Sequence, residues 1–145
     1  MKPLRNFAAH TALAASLLFG AAGVQAELAI IAHPSNPLNS IEPAEVERLY
    51  MGKSRTFPGG GSVKPVDQAP GNPMREKFFA AVLDKTEAQV TGYWSRRMFS
   101  GKGTPPDTLA DDLAVKARVA SDPATIGYVR EDVVDSSVKV LLLVP

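Results

Sequence analysis

The sequence predicts a single α/β domain in which helices flank a central mixed sheet. Leu28–Ala32 is an uninterrupted apolar run of strand length, which is typical of a strand covered on both faces. Further apolar runs at 125–129 and 138–144 are separated from it by segments whose apolar residues have helical spacing. Of the 145 residues, 45% are hydrophobic and 21% are charged, as in an ordinary globular domain.

The first 26 residues have the three parts of a secretory signal peptide. Lys2 and Arg5 make the start basic, residues 11–23 are apolar, and residues 24–26 place small side chains where a signal peptidase reads. No later segment approaches twenty apolar residues. We therefore expect a signal peptide at 1–26, a mature domain at 27–145 without a membrane span, and a location in the bacterial periplasm or outside the cell.

A helix and a second strand are predicted to follow the first strand. Ser40 is placed to cap a helix that runs to Tyr50. After the glycine-rich turn at 58–61, residues 62–67 are typical of a short strand in which Pro65 limits hydrogen bonding. We therefore expect that strand to lie at an edge of the sheet or to end early.

Thr86 starts a helix, because Thr86-Glu87-Ala88-Gln89 has the capping-box pattern, and Gly101 ends it. Its apolar stripe predicts a core face formed by four residues: Val90, Tyr93, Trp94 and Phe99. Arg96 and Arg97 beside these aromatic residues suggest a nucleic-acid surface, but we interpret them as the solvated flank of a core helix.

The rest of the chain predicts one more helix and two strands. Residues 107–120 suggest the helix, which 121–123 ends before a strand at 125–129. The last strand, 138–144, is apolar enough to lie inside the sheet or to pair with the edge of a partner.

Several kinds of chemistry are excluded by what the chain lacks. It has no cysteine, and His33 is the one histidine after residue 26, with no second ligand near it in the sequence. No nucleophile-elbow, phosphate-loop, dinucleotide-binding or zinc-protease motif is present. The mature chain holds 14 basic and 15 acidic residues. We therefore expect no metal, no other cofactor, no enzyme activity and no nucleic-acid partner.

The segment Gln68–Arg75 is the candidate binding site. It leads from a strand through Gly71 to a helix start, with Asn72 as the N-cap and Pro73 as the first helical residue. Backbone N–H groups at such a start attract a phosphate, sulfate or carboxylate, and Asn72 and Arg75 would add side-chain donors. The alternative interpretation is that Asn72 only caps the helix, and Pro73 contributes no N–H.

Taken in order, several short segments of the chain are similar to one protein family. They are Ile30–Pro37, the helix end Tyr50-Met51-Gly52-Lys53, Gly71–Phe78 and Ile126-Gly127-Tyr128. Together they resemble the phosphate-binding-protein-like family, the type II periplasmic substrate-binding proteins of phosphate ABC transporters. The resemblance spans about residues 28–143.

This resemblance implies the fold of one lobe of a type II periplasmic binding protein. Members of the family close two α/β lobes over an anion, and the mature chain has the length of about one lobe, similar to the second. The family's anion loop precedes a helix that contains a Phe, which we place on Phe78. The ligand-binding positions then fall on five residues of this chain: Gln68, Gly71, Asn72, Met74 and Arg75.

The sequence therefore predicts an exported substrate-binding-like protein that holds phosphate or another small anion at a helix N-terminus. A single open lobe binds such an anion weakly unless a homodimer or another protein supplies the second wall. The alternative is a non-enzymatic protein-interaction module of an envelope complex that has lost ligand binding. The missing half of the cleft and the apolar segment 138–144 favour this alternative.

Overall fold

The computed structural model describes residues 27–145, and the predicted signal peptide at 1–26 lies outside them. The elements in chain order are β1 (Leu28–Ala32), α1 (Pro43–Tyr50), β2 (Lys64–Gln68), α2 (Pro73–Phe78), α3 (Glu87–Phe99), β3 (Asp107–Leu109), α4 (Asp112–Ser121), β4 (Thr125–Arg130) and β5 (Lys139–Val144). A π-helical segment, Phe79–Leu83, continues α2, and a 3₁₀ turn, Glu131–Val133, follows β4.

The strands form one mixed sheet in the order β3-β2-β4-β1-β5. β2 runs parallel to β3 and β4, whereas β1 is antiparallel to β4 and β5. Apolar clusters lie on both faces of this sheet, one with side chains of α1, α2 and α3 and the other with side chains of α4. The predicted α/β class, with helices flanking a mixed sheet, is confirmed.

Burial of β1 on both faces is also confirmed. Leu28, Ile30 and Ala32 belong to the first apolar cluster, and Ala29 and Ile31 belong to the second. Alternate residues of a strand point to opposite faces of the sheet, so an uninterrupted apolar run is what a strand between two helical layers requires.

The first helix begins later than predicted. Its N-cap is Glu42 rather than Ser40, and Pro43 is the first helical residue. The Ile41 N–H bonds to the Leu141 carbonyl oxygen of β5, so the chain before α1 is held against that strand and Ser40 precedes the helix. A proline also disfavours the helical conformation in the residue before it, which fixes the start of α1 at Pro43.

The prediction that the second strand lies at an edge is wrong. β2 lies between β3 and β4, although Pro65 removes one backbone donor. The pairing with β3 begins only at Val66, so the proline precedes that part of the ladder. Its pairing with β4 covers only Lys64 and Pro65.

The helix predicted at 107–120 is instead a short strand followed by a helix. Residues 107–109 form β3, which pairs with β2, and Asp111 caps α4 by accepting a hydrogen bond from the Ala114 N–H at 2.9 Å. A strand of three residues depends on its neighbour for existence, so local pattern does not reveal it.

The capping box of α3 is present as predicted, with both Thr86 and Gln89 hydrogen bonds formed. Val90 and Trp94 are buried, but Phe99 is 97% exposed, so its assignment to the core is wrong. Five residues along a helix correspond to a rotation of about 140°, which carries Phe99 away from the face of Trp94.

β5 is an edge strand, paired on one side with β1. Of the two alternatives that the sequence predicts for 138–144, a place inside the sheet is wrong, and pairing with the edge of a partner stays a prediction. Within residues 27–145, no helix has the length and apolar character needed to cross a membrane.

Candidate functional site

Gln68, at the carboxyl end of β2, is fully buried. Its Nε2 donates to Asp112 Oδ1 and to the carbonyl oxygen of Tyr128, each at 2.8 Å. Its Oε1 accepts a hydrogen bond from Asn72 Nδ2 at 2.7 Å. Both ends of this amide are therefore used inside the domain, where they tie β2 to α4, to β4 and to the loop before α2.

Asn72 is the N-cap of α2, as predicted. Its Oδ1 accepts the Met74 N–H at 2.9 Å, and its carbonyl oxygen accepts the Arg75 N–H at 3.0 Å. Pro73 has no N–H to offer. Gly71 is exposed and has a positive φ of 87°, and its N–H forms no hydrogen bond within residues 27–145.

Met74 contributes to the structure of the loop in a different way. Its side chain is partly buried and packs against the apolar cluster on the α1, α2 and α3 face. Its backbone N–H is bonded to the Asn72 cap, so neither the side chain nor the amide of Met74 is open to a ligand at this helix start.

Arg75 is buried despite its charge, with 8% of its surface exposed. Its Nε donates to Glu87 Oε1 at 2.7 Å, and its Nη1 donates to Asp67 Oδ2 at 3.0 Å and to the Gln68 carbonyl oxygen at 2.9 Å. The guanidinium carbon lies 4.7 Å from the ring centroid of Phe79. Two carboxylates therefore compensate the charge that would attract an anion.

Asp67 is the buried acidic centre of this network. It accepts hydrogen bonds from the Tyr128 hydroxyl and from the Gln68 N–H, the latter at 2.8 Å. Burial raises the pKa of Asp67, although the Tyr128 hydrogen bond and the charge of Arg75 act in the opposite direction. Burial, with the nearby Asp67 carboxylate, also raises the pKa of Tyr128, so its hydroxyl remains a hydrogen-bond donor.

Carboxylates outnumber cations around the predicted anion loop. Asp67 and Glu87 bond to Arg75, and Asp112 bonds to the Gln68 amide. Carboxylates disfavour a second negative group nearby, so the closed network does not present a positive surface. The network has a structural role, because it joins β2, β4, α2, α3 and α4.

Sequence reasoning missed the partners of Arg75. Asp67 precedes the predicted site by one residue, and the sequence pattern indicates no more for Glu87 than a place in a capping box. Tyr128 stands in an apolar strand, where the pattern indicates core and gives no sign of a hydroxyl bonded to Asp67. Asp67 lies in the predicted strand 62–67, and a buried carboxylate needs a hydrogen-bond donor beside it. That need is the signal that could have indicated these partners.

His33 lies in a turn, with Nδ1 2.8 Å from Ser35 Oγ. Residues 27–145 contain no group of three or more His, Cys, Asp or Glu residues with the geometry to hold a metal ion.

Comparison with known proteins gives structural matches without sequence matches. No model of a known protein family matches the chain, and no curated protein matches it. A phosphate ABC transporter substrate-binding protein with bound phosphate from Clostridium perfringens is 21% identical, with a TM-score of 0.65, over 80% of this chain and 45% of that one.

Two further solved structures show the same likeness. A phosphate transport receptor from Vibrio cholerae is 16% identical with a TM-score of 0.63, and a protein described as PstS from Borrelia burgdorferi is 12% identical with a TM-score of 0.60. Both matches cover 80% of this chain, and they cover 46% and 47% of the other chains. The chain thus spans less than half the length of these proteins and has the fold of a single lobe of phosphate ABC transporter substrate-binding proteins.

Proposed function

We propose that this protein is an exported, non-enzymatic interaction module of the bacterial envelope, which binds another protein through its edge strand β5. The observation that carries the proposal is the edge position of β5: it pairs with β1, no strand of residues 27–145 pairs with its other side, and of its carbonyl oxygens Leu141 accepts the Ile41 N–H. Leu143 on this strand is 44% exposed. Unpaired backbone groups beside apolar side chains form a surface to which another strand can add.

The closed loop before α2 supports the same proposal. The side chains of Gln68, Asn72 and Arg75 already have partners within the chain. A module that works by docking needs no open anion loop. The structural neighbours are described as transport receptors and substrate-binding proteins, which supports a binding role rather than catalysis.

A small anion such as phosphate, bound at Gly71, Asn72 and Arg75, is the second candidate. It is favoured by the free N–H of Gly71 on an exposed turn and by the likeness to a protein with bound phosphate. For Arg75 to take part, its guanidinium would exchange Asp67 or Glu87 for the anion. Gln68 and the Met74 backbone would support the loop from inside.

Photo-crosslinking tests the docking proposal in the full chain, expressed in a bacterium with an intact envelope. A photoreactive residue in place of Leu143 should crosslink to a partner, whereas the same residue in place of Leu113, which is 61% exposed on α4, should not. Leu143→Lys places a charge on the edge and should abolish complex formation, and Leu113→Lys is its matched control. Sedimentation of the purified protein tells a homodimer from a complex with another protein.

No crosslink at position 143, together with a monomer in sedimentation, would rule out the edge-strand proposal. A phosphate titration followed by thermal unfolding tests the second candidate separately. At ~100 times the dissociation constant, a ligand stabilises the fold by about 2.7 kcal/mol. A saturable shift with phosphate but not with chloride would favour the anion site.

Export is tested by the mass of the protein recovered from the periplasm. Cleavage after Ala26 gives a chain that begins at Glu27. Replacing Ala26 by a bulky residue such as Phe should leave the precursor uncleaved. Recovery of the full-length chain from the cytoplasm alone would contradict the proposal.

A further inference from the structure

A cavity lies at the start of β2, at the opposite end of the strand from the loop that was predicted to bind an anion. Its volume is about 370 Å³, and it lies beside Lys64 and Pro65, where β2 starts, and beside Asp107, where β3 starts. The predicted loop instead follows Gln68, about 13 Å further along the strand. None of the five predicted ligand residues lines this cavity.

Positive charge dominates the lining of this cavity. Its four cationic side chains are Arg55, Lys64, Arg97 and Lys102. Within residues 27–145, no hydrogen bond or ion pair is formed by the side chains of Arg55, Lys64 or Lys102. The one lining carboxylate, Asp107, is 80% exposed and lies 3.8 Å from Arg118. A cavity with this excess of unpaired cations attracts an anion.

Arg97 is held in place for such a contact. Its guanidinium carbon lies 5.4 Å from the ring centroid of Tyr93 and 5.7 Å from that of Trp94. Nη2 donates a long hydrogen bond of 3.4 Å to the Lys102 carbonyl oxygen. Nε is buried without a hydrogen-bond partner, the one such side-chain atom in residues 27–145.

The Arg97 guanidinium lies over two aromatic rings and has an N–H donor without an acceptor. Such a group can bind a planar or tetrahedral oxyanion. Guanidinium N–H groups pair with carboxylate or phosphate oxygens in a fork geometry, and stacking limits the motion lost on binding. Nη1 forms no hydrogen bond within residues 27–145 and, unlike the buried Nε, is accessible, so it is the donor of Arg97 that is open to an anion.

Apolar side chains form another part of the lining: Leu49, Val63, Pro65, Trp94, Pro105 and Pro106. Two hydroxyl side chains and two glycines complete it: Ser54, Thr104, Gly52 and Gly103. A pocket of this volume that combines apolar side chains with polar groups is typical of sites for small organic molecules. We propose that this cavity binds a small organic anion whose carboxylate or phosphate pairs with Arg97 and whose apolar body lies against Trp94.

Trp94 is the one tryptophan in the 145 residues, so its fluorescence reports directly on the cavity. The probes are benzoate and phenyl phosphate. Of the two comparison compounds, benzyl alcohol lacks the charge and inorganic phosphate lacks the apolar body. We expect saturable changes with benzoate or phenyl phosphate. The two comparison compounds should bind about tenfold more weakly or worse, because each loses one set of contacts.

Arg97→Gln should weaken binding of the better probe about tenfold, the loss expected for a hydrogen-bonded charge. Arg96→Gln removes the same charge from the same helix, outside the cavity lining, and should change affinity by less than about twofold. Because Arg97 also packs on two rings, Lys102→Gln serves as a second variant and should weaken binding by about threefold.

The proposal is overturned if neither benzoate nor phenyl phosphate gives a saturable change with the wild-type chain. It is equally overturned if Arg97→Gln and Lys102→Gln bind the probe as tightly as Arg96→Gln. Circular dichroism of each variant confirms that the fold is retained, so a loss of binding refers to the cavity.

Discussion

The Tyr128 hydroxyl donates its hydrogen to the buried carboxylate of Asp67 and so joins β4 to the end of β2. The same oxygen accepts the Gln68 N–H at 3.1 Å. The ring stacks on Phe78, with 4.1 Å between ring centroids and 8° between their planes. One side chain thus satisfies the polar groups at the carboxyl end of β2 and fills the core beneath α2.

Tyr128→Phe should lower the free energy of unfolding by about 1–3 kcal/mol, since Asp67 and the Gln68 N–H each lose a partner in a buried place. The ring contacts with Phe78 remain. Tyr93→Phe is the control, because the Tyr93 hydroxyl also donates one hydrogen bond, at 2.6 Å to the Met51 carbonyl oxygen, but is only partly buried. Urea unfolding should give the larger loss for Tyr128→Phe, and equal losses would contradict a special role for the Asp67 bond.

The pH dependence of stability should carry a contribution from Asp67. Because burial raises its folded-state pKa above 3.8, the folded protein binds this proton more tightly than the unfolded chain does. The resulting stabilisation is fully present below the unfolded pKa and is lost as the pH rises through the folded pKa. Asp67→Asn removes this titration.

Urea unfolding tests this prediction. The midpoints of wild type and Asp67→Asn are measured from pH 3 to pH 7, which is about the range over which a carboxyl of raised pKa titrates. The wild type should lose stability relative to the variant as the pH rises. A constant difference between the two proteins would mean that the pKa of Asp67 is the same in the folded and unfolded chains.

Arg75→Met should be among the most destabilising single changes in this domain. The methionine keeps an apolar stem over Phe79 but leaves Asp67 and Glu87 without their cation. Breaking a buried ion pair by removing one partner costs about 3–5 kcal/mol. Arg130→Met is the control, because its pair with Asp132 is exposed and is expected to contribute less than about 1 kcal/mol.

Chemical denaturation of both arginine variants shows whether Arg75 stabilises the fold or is available to bind a ligand. A loss for Arg75→Met no greater than that for Arg130→Met would mean that the buried network does not depend on its guanidinium. It would also make Arg75 available to an anion at little cost to the fold.

The parts of the fold that could be predicted are those with local signals. The apolar run of β1, the Asn72 cap and the capping box at Thr86 each lie within a few residues, where spacing alone determines the structure. β3 escaped prediction because its three residues become a strand only by pairing with Val66–Gln68, about forty residues earlier in the chain.

The candidate site was harder to predict because its partners are distant in sequence. A sequence indicates that Arg75 is charged and near a helix start, but not that Asp67 and Glu87 meet its guanidinium. The Arg97 cavity escaped for a similar reason. Helical periodicity places Arg97 on the flank of α3. The loop at 102–106 lines the same cavity as Arg97, and this could not be predicted from the spacing of residues within α3.

Gly127 sets the distance between β4 and α4, because a Cβ atom there would lie 2.5 Å from Val115 Cγ1 and 3.1 Å from Val66 Cγ2. Gly127→Ala should therefore lower the free energy of unfolding by about 1–3 kcal/mol through overpacking. Gly92→Ala, in α3, is the matched control: its Cβ would meet only Arg96 Nη1, at 3.5 Å, and should raise stability by about 0.5–1 kcal/mol. Urea unfolding of both variants tests the contrast. Equal stability of Gly127→Ala and wild type would mean that α4 packs further from the sheet than these contacts require.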